Sequence, residues 1–508
     1  MVLVAVNNLE SEYTEPTYGN WRIPVLAGLG RLGGFATVMV FVSILITIFV
    51  LRFAGIMHGL ITGLVCFAFV AGLSITDKHG YSFFERFAEK GIFMFAKLFK
   101  KNKYRSGPLG FTKGGTFKLP GFASSVTPYD VVDSWGRPFT MIHMPAVGIY
   151  SVAFAVEPDG ASLVDQSAID QWVANWGGFL AEMGREISLV GISVTGETSI
   201  SSGVKLRKEI KSTLSPEASP LAQQALKEAA MTYPAGMRQN RMWVTISLAA
   251  SARSGARRRK PEVMAQELAT KMPFWSSHLE STGAGLATPL EGHELAEIIR
   301  VAYDPAAEQV LDDAYYQGED VHLDFENIGP AATETRWEEY QHDSGISVCW
   351  TMSEAPRGTV YSNVFARLFA PHDVIDRKRV TILYRPIDSA RTASLVEKDQ
   401  NRARTRLTSK PNGSARLEQD LMAANATAEE EAKGAGLTYF GLAVSATVSN
   451  PERLSEAVAA VEHELAPSSR IQLRRAYGSH DAVFAATLPL GVMLGKHTLV
   501  PDSIKSTL

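Results

Sequence analysis

Two long apolar runs near the start of the chain constrain its fold more than any other feature. Residues 33–51 read GGFATVMVFVSILITIFVL, 19 residues without a charge, and residues 53–75 read FAGIMHGLITGLVCFAFVAGLSI, 23 more. About 20 helical residues, at about 1.5 Å each, cross the hydrocarbon core of a bilayer. Neither run has the polar face that a buried soluble helix usually keeps. We predict a two-helix transmembrane hairpin over residues 32–76; the alternative is a buried soluble hairpin.

The basic residues around these runs predict the orientation of the hairpin. Only Arg52 lies in the connection between the runs. The flanks carry ten basic residues: Arg22, Arg31, Lys78, Arg86, Lys90, Lys97, Lys100, Lys101, Lys103 and Arg105. Because Lys and Arg stay on the cytoplasmic side of a membrane, we predict a two-pass protein of the cell (inner) membrane with both termini in the cytoplasm. Residues 1–31 are then a cytosolic tail.

Three glycines recur at every fourth position of the second run. Gly55, Gly59 and Gly63 would form a smooth stripe on one helix face, where another backbone can approach closely. We predict that this stripe packs against a helix. Its partner is either the first run of the same hairpin or a helix of another subunit, and the sequence leaves both open.

Residues 77–103 are predicted to form a basic amphipathic juxtamembrane helix. The segment combines aromatic residues with a lysine-rich end: Phe83, Phe84, Phe87, Phe93, Phe95 and Phe99, then Lys97, Lys100, Lys101 and Lys103. Such a helix lies along the cytoplasmic leaflet, where its rings insert and its lysines attract anionic lipid. We therefore predict that these four lysines contact the membrane surface. The alternative is a helix packed on the soluble region.

Beyond residue 104, β-rich and helical segments alternate, which predicts an α/β (α+β) fold. The order strand, helix, strand, helix that begins at RMWVTISLAAS (241–251) recurs from LTYFGLAVSATVSN (437–450). We predict duplicated, ferredoxin-like βαβ units. The first spans 104–310 and the second 335–508, with an acidic linker at 311–334. A helical hairpin at about 388–434 is predicted to project from the second unit.

No constellation of residues predicts catalysis or metal binding. The acidic linker lacks the ordered spacing of a calcium-binding loop. The histidines form no HExxH motif, and the adjacent pairs His342-Asp343, His372-Asp373 and His480-Asp481 would point apart on a strand. We predict no enzymatic activity, no catalytic residue, no metal site and no cofactor.

Two glycine motifs resemble nucleotide-binding loops but lack their requirements. In LPLGVMLGKHTL (488–499), three residues rather than four separate Gly491 from Gly495, and His497 follows Lys496 where a hydroxyl residue is needed. GLGRLG (28–33) opens an apolar helix instead of following a strand. The basic loop ARSGARRRKPE (252–262) has no aromatic platform beside it, so direct nucleic-acid contact is not expected.

Several segments together resemble a family of actinobacterial integral membrane proteins from conjugation-type (type IV) secretion loci. They are TYGNW (17–21), YRSGPLG (104–110), VANWGGFLAEMG (173–184), TYPAG (232–236), IIRVAYDP (298–305), YQHDSGISVCWTMSEAPRG (340–358), RKRVTILYRPID (377–388) and LPLGVML (488–494). In that family the start is similar to PrgI-type small membrane proteins. The soluble part is similar to the amino-terminal, non-ATPase domain of conjugative transfer ATPases.

The resemblance implies a non-enzymatic, membrane-anchored scaffold that docks a separate transfer ATPase at the cytoplasmic face. Its expected partners are membrane lipid, the secretion-system ATPase and other membrane subunits, a second copy of the chain among them. One alternative is an EccE-type membrane subunit of a type VII secretion system. Another is a membrane-bound enzyme acting on lipid or cell-wall precursors through carboxylates such as Asp320 and Asp324.

Overall fold

A computed structural model describes most of the chain. The described residues are 16–19, 21, 34–74, 83–110, 112–158, 160, 163–201, 203–215, 217–232, 237–251, 257–319, 321, 323–356, 358–409 and 415–494. Three helices come first: α1 (Gly34–Ala54), α2 (Ile56–Ser74) and α3 (Phe83–Leu98). The structure describes side chains from residue 39 in α1 and up to residue 72 in α2. Within the described residues, no helix is both long and apolar enough to cross a membrane.

Thirteen strands and twelve further helices follow in the described residues. The first half holds β1 (Lys103–Arg105), β2 (Thr127–Val132), β3 (Pro138–Met144), β4 (Ile149–Glu157), α4 (Gln166–Met183), β5 (Leu189–Ile200), α5 (Val204–Thr213), α6 (Pro220–Thr232), β6 (Arg238–Ala249), α7 (Pro261–Leu279), β7 (Leu286–Pro289), α8 (Gly292–Tyr303) and α9 (Ala307–Gln317). The second half holds β8 (Ala332–Thr335), β9 (Tyr340–His342), β10 (Gly345–Glu354), α10 (Ala366–Phe369), β11 (Arg377–Pro386), α11 (Ser389–Thr408), α12 (Ala415–Ala432), β12 (Thr438–Val448), α13 (Leu454–Ala459), α14 (Ala466–Ser468), β13 (Gln472–Arg475) and α15 (His480–Ala486).

All the strands join one sheet in the order β1-β8-β9-β10-β12-β11-β5-β6-β4-β3-β2, with β7 beside β4 and β13 beside β10. The strand pairs β4–β6, β5–β6, β10–β12 and β11–β12 are antiparallel. In the first half the order β7-β4-β6-β5 is the order 4-1-3-2 of a ferredoxin-like βαββαβ unit, and β13-β10-β12-β11 repeats it. The predicted mixed α/β class is confirmed, and the strand order shows the repetition.

The two repeats, called the first and second copies below, share the sheet rather than forming separate domains. Strands β5 and β11 hold equivalent places in the two copies and pair with each other antiparallel. At their centre Thr195 lies opposite Thr381, and the two hydroxyl oxygens are 2.9 Å apart in a hydrogen bond. An approximate two-fold rotation through this pair therefore relates the copies.

Elements of the structure cross two of the predicted boundaries. Strand β1 precedes the first copy in sequence but pairs with β8, at the edge of the second copy. The predicted acidic linker at 311–334 is not a plain connection, because α9 extends into it as far as Gln317 and β8 begins within it at Ala332. Backbone pairing at both ends orders these parts of the segment. Residues 320 and 322 lie outside the described residues.

Helices cover both faces of the sheet. On one face α4 and α7 bury residues such as Phe154 and Met264 in the first copy, and α13 and α14 bury Trp350 and Val461 in the second. On the other face α8 and α15 pack over the sheet, with Ile299 and Phe484 buried between them. In the second copy α11 and α12 pack together inside the predicted hairpin at 388–434, and Gln400 donates to Asn425 at 2.9 Å.

The motif LPLGVML belongs to the core. Leu488, Leu490 and Val492 are buried in the same cluster as α8 and α15. Gly491 has a φ of +74°, and the hydroxyl of Ser247 donates to its carbonyl at 3.3 Å. The segment 488–493 therefore crosses from the second copy and covers the sheet of the first. Residues 495–499, including Lys496, lie outside the described residues.

Candidate functional site

The hairpin of α1 and α2 presents apolar side chains outward. Uncharged, strongly apolar residues make both segments helical, and these two helices pack side by side. The side chains with more than half of their surface exposed are Phe41, Leu45, Ile48, Phe49, Phe53, Ile56, Met57, Leu60, Ile61, Leu64, Val65 and Phe67. A surface of this kind marks an interaction with apolar surroundings, either lipid or protein.

The three predicted packing glycines have two different roles. Gly55 lies between the helices with a φ of +91°, a left-handed conformation that glycine adopts without strain, so it makes the turn. A Cβ on Gly59 would lie 2.8 Å from the Cβ of Leu51, and one on Gly63 would lie 3.2 Å from the Thr47 methyl. Gly59 and Gly63 therefore face α1 of the same hairpin, one of the two partners that the sequence leaves open.

Helix α3 packs on the second copy through one face. Glu89 and Arg474 form an ion pair with an N–O distance of 2.5 Å, and the rings of Phe93 and Trp337 lie 5.4 Å apart. The opposite side of the helix is exposed and apolar: Phe87, Ile92, Met94, Phe95, Leu98 and Phe99. One face of the helix thus packs on the second copy, and the other is exposed and apolar. The helix has features of both alternatives, a membrane-surface helix and a helix packed on the soluble region.

The predicted membrane-surface lysines fall into two groups. Lys97, Lys100 and Lys101 are exposed at the end of α3. Lys103 instead lies in β1, where its ammonium is 3.2 Å from the carboxylate of Glu334. The helix predicted over 77–103 ends at Leu98, because Lys100 adopts a positive φ of 55° and the next residues enter the sheet.

The tail before α1 also contacts the second copy. Tyr18 and Val360 exchange two backbone hydrogen bonds of 2.8 and 2.7 Å, and the rings of Trp21 and Phe440 lie 6.0 Å apart. The described residues before α1 and those of α3 after α2 therefore both contact the second copy.

A buried ionic cluster joins the two copies at β5 and β11. Glu197 on β5 accepts hydrogen bonds from Arg377 and, at 2.6 Å, from the Nε of Arg379. Arg377 also donates to Glu308 of α9 at 2.5 Å, and Arg241 of β6 lies 3.7 Å from the same carboxylate. Burial alone would raise the pKa of Glu197, but the adjacent arginines outweigh it and lower the pKa. Glu197 therefore stays ionised and cross-links the copies.

Sequence reasoning missed this cluster. Its signal was a charge in an otherwise buried β segment: Glu197 in ISVTGETSI and Arg377 and Arg379 in RKRVTILYRP. The side chain of Arg379 is fully buried, and within the described residues its two terminal nitrogens have no hydrogen-bond partner. Its guanidinium lies 5.4 Å from the ring centre of Phe484, a cation–π contact. Glu197, Arg377 and Arg379 are buried, so the cluster acts as a structural joint between the copies.

Of the three histidines singled out in sequence, His342 and His480 are buried structural residues, whereas His372 is partly exposed and lies 3.4 Å from Glu464. His342 contacts the carbonyl of Tyr303 at 2.6 Å and the hydroxyl of Ser347 at 2.7 Å. The Nδ1 of His480 accepts a hydrogen bond from the backbone N–H of Cys349 at 3.1 Å. Burial lowers the pKa of His342 and that of His480 to about 4. Both are therefore neutral at physiological pH, and His342 does not bond its neighbour Asp343.

These two histidines predict an acid-sensitive fold. Between pH 6.5 and 4 each histidine is protonated in the unfolded chain but neutral in the folded one. Proton binding therefore stabilises the unfolded state, and the free energy of unfolding falls as the pH drops from 6.5 toward 4. Each histidine contributes a slope of about 1.4 kcal/mol per pH unit inside this window. We expect His342→Gln to reduce the slope between pH 6 and 5 by about that amount, measured by denaturant unfolding of the full chain. Equal slopes in the two proteins would contradict the conclusion that His342 is buried and neutral. His293 is exposed, so His293→Gln is the control.

The described residues of the acidic segment and of the basic loop make contacts within the chain. No group of three or more His, Cys, Asp or Glu side chains there is arranged to hold a metal ion. Asp324 accepts a hydrogen bond from the backbone of Glu326, and Asp320 lies outside the described part. In the basic loop, Arg258 donates to the carbonyl of Pro145 at 3.1 Å and Arg259 pairs with Glu267 at 2.5 Å.

Comparison with known protein families finds no match for this chain, and no curated protein matches it. Its function is therefore inferred from its own residues and their arrangement.

Proposed function

We propose that this chain is a non-enzymatic, membrane-anchored scaffold of a type IV (conjugation-like) secretion apparatus, which docks a separate transfer ATPase at the cytoplasmic face. The observation that carries the proposal is the outward apolar surface of α1 and α2. Burying such a surface in lipid removes it from water, at about 25 cal/mol per Å². The choice of a type IV secretion apparatus rests on the resemblance described in the sequence analysis.

The backbone lengths of the hairpin suit this role. Helices α1 and α2 have 21 and 19 residues, which at about 1.5 Å per residue gives roughly 30 Å, the thickness of a hydrocarbon core. Gly55 turns the chain at the far side. The exposed apolar face of α3 and the lysines at 97, 100 and 101 would then meet the cytoplasmic leaflet.

The sheet suits a scaffold because it is one cross-linked body. The ionic cluster at Glu197 and the segment 488–493 both connect the copies. Contacts at Tyr18 and Glu89 attach the chain before α1 and after α2 to the second copy. Docking of an ATPase needs a fixed platform of this kind rather than a catalytic pocket.

Membrane fractionation tests the anchor. We expect the full chain to stay in the membrane pellet after extraction at pH 11, because apolar anchoring resists high pH whereas electrostatic attachment does not. Protease should digest residues 104–494 in inside-out vesicles and leave them intact in spheroplasts, because both flanks lie in the cytoplasm. Release at pH 11, or digestion from outside, would contradict the proposal. The matched control deletes residues 34–74 and should be released.

Partner identification tests the machine. The full chain, extracted in mild detergent, should co-purify with a conjugative transfer ATPase encoded at the same locus. Co-purification with type VII secretion subunits instead would overturn the type IV assignment and support the EccE-type alternative. Purification without any secretion subunit would contradict the scaffold role.

A further inference from the structure

A basic corner, formed by the exposed side chains of Arg257, Arg258 and Lys260, lies on the first copy where helix α7 begins. It is the described end of the basic loop. Within the described part of the chain, no carboxylate lies within ion-pairing distance of these three side chains, whereas their neighbour Arg259 pairs with Glu267. The three cations are therefore available to an external anion.

The start of α7 adds to the positive potential of the basic corner. The backbone N–H groups at a helix N-terminus carry about half an elementary positive charge. Glu262 is the acidic residue in the first turn of α7, and it offsets one of the three cations. The corner keeps a net positive charge in spite of this carboxylate, so it attracts anionic partners.

A row of aromatic rings lies beside the basic corner. The rings of His143 and Tyr150 are stacked, with their centres 4.2 Å apart and an angle of 8° between their planes, and the ring of Tyr129 lies 6.3 Å from that of His143. The three residues belong to the neighbouring strands β2, β3 and β4. Tyr129 and His143 keep part of their surface exposed, whereas Tyr150 is buried and supports the row.

Two hydrogen bonds fix the basic corner to this row of rings. The hydroxyl of Tyr150 donates to the backbone carbonyl of Arg259 at 3.1 Å. Arg258 donates to the carbonyl of Pro145 at 3.1 Å, in the turn between β3 and β4. Burial and the nearby charge of Arg258 lower the pKa of His143, so its ring is neutral at physiological pH. Cations and uncharged rings thus form one continuous surface.

This combination suits single-stranded nucleic acid better than other polyanions. Proteins that bind single strands pair the phosphates with basic side chains and stack the bases on aromatic rings. An acidic peptide would pair with the cations and leave the rings unused. A lipid headgroup is disfavoured by position: α3 and the tail before α1 contact the second copy, and β4 is the fifth strand from β10, roughly 24 Å away at about 4.8 Å per strand.

From this geometry we infer that the basic corner, together with Tyr129 and His143, binds single-stranded nucleic acid. The phosphates pair with the three cations, and a base stacks on the exposed part of the Tyr129 ring. The inference goes beyond the proposed scaffold function and does not depend on it. From the sequence alone no such contact is expected, because the rings lie at positions 129–150, far from the loop along the chain.

Fluorescence anisotropy tests this binding. The probe is a fluorescein-labelled 20-residue oligothymidylate, and the protein is the full chain in non-ionic detergent at low salt. We expect saturable binding, weakened about tenfold or more by the double substitution Arg257→Ser/Lys260→Ser and about fivefold or more by Tyr129→Leu. The matched control is Arg404→Ser/Arg406→Ser, which removes two exposed cations from α11 and should leave the affinity unchanged.

Competition with the unaltered chain identifies the class of ligand and does not depend on the folding of any variant. Unlabelled oligothymidylate should displace the probe, whereas polyglutamate, or phosphatidylglycerol added to the micelles, should not at the same concentration of charge. Displacement by either competitor as effective as that by the oligonucleotide would overturn the inference in favour of an acidic peptide or a lipid. Absence of binding, equal losses in the Arg257/Lys260 and Arg404/Arg406 variants, or unchanged affinity of Tyr129→Leu would also overturn it.

Discussion

Glu197→Ala is expected to lower the free energy of unfolding of the full chain by about 3–5 kcal/mol. Removing one member of a buried ion pair leaves its partner charged and without compensation. Here Arg377 and Arg379 would both lose their carboxylate, and the side chain of Arg379 is fully buried.

Denaturant unfolding in detergent, followed by tryptophan fluorescence, measures this effect. The control is Glu429→Ala on α12, which breaks the exposed pair with Lys433 and should leave stability unchanged within error. A small and equal effect of the two substitutions would show that the cluster at β5 and β11 does not hold the copies together. Glu197→Gln should fall between the two, because it keeps the hydrogen-bonding shape without the charge.

Gly491→Ala is expected to destabilise the chain by roughly 2–5 kcal/mol. The residue has a φ of +74°, where a Cβ costs about 1–2 kcal/mol. The added Cβ would also lie 2.1 Å from the hydroxyl oxygen of Ser151 and 2.5 Å from that of Ser247, so the segment must lift away from the sheet. Overpacking of this kind adds about 1–3 kcal/mol.

Gly318→Ala separates the conformational cost of a positive φ from the cost of the steric clash. Gly318 has a φ of +81°, but no atom lies within 4 Å of the position of its Cβ. This variant should therefore show only the conformational cost of about 1–2 kcal/mol. The difference between the two variants, measured under the same denaturant conditions, reports the steric clash. Equal destabilisation by Gly491→Ala and Gly318→Ala would mean that the segment 488–493 moves away from the sheet at no cost in free energy. The segment would then not pack tightly on the first copy.

The features predicted correctly from the sequence are those that patterns over short stretches of the chain determine. Apolar runs specify α1 and α2, and the recurring order of strands and helices after positions 241 and 437 reveals the duplication. These features repeat with the period of a helix or a strand, so a local window contains the information. The hairpin of α11 and α12 was visible for the same reason.

The features that sequence reasoning missed are long-range. Nothing near Thr195 in the chain indicates that its strand pairs with the strand of Thr381, because pairing between distant strands depends on how both copies pack. In LPLGVML, Gly491 is required because its backbone approaches the sheet of the first copy closely, and no neighbouring residue in the chain indicates this contact. A groove between the β8–β9 turn and α13 was invisible because its lining combines residues 338–348 with residues 451–475, more than one hundred positions later.

The crossing of residues 488–493 onto the first copy sets an order of events during biosynthesis. The residues that cover Ser151 and Ser247 are translated after every strand of the sheet. Until they are made, the polar and apolar side chains beneath them are exposed to solvent. Covering of this part of the first copy is therefore a late step of folding, which follows synthesis of all thirteen strands.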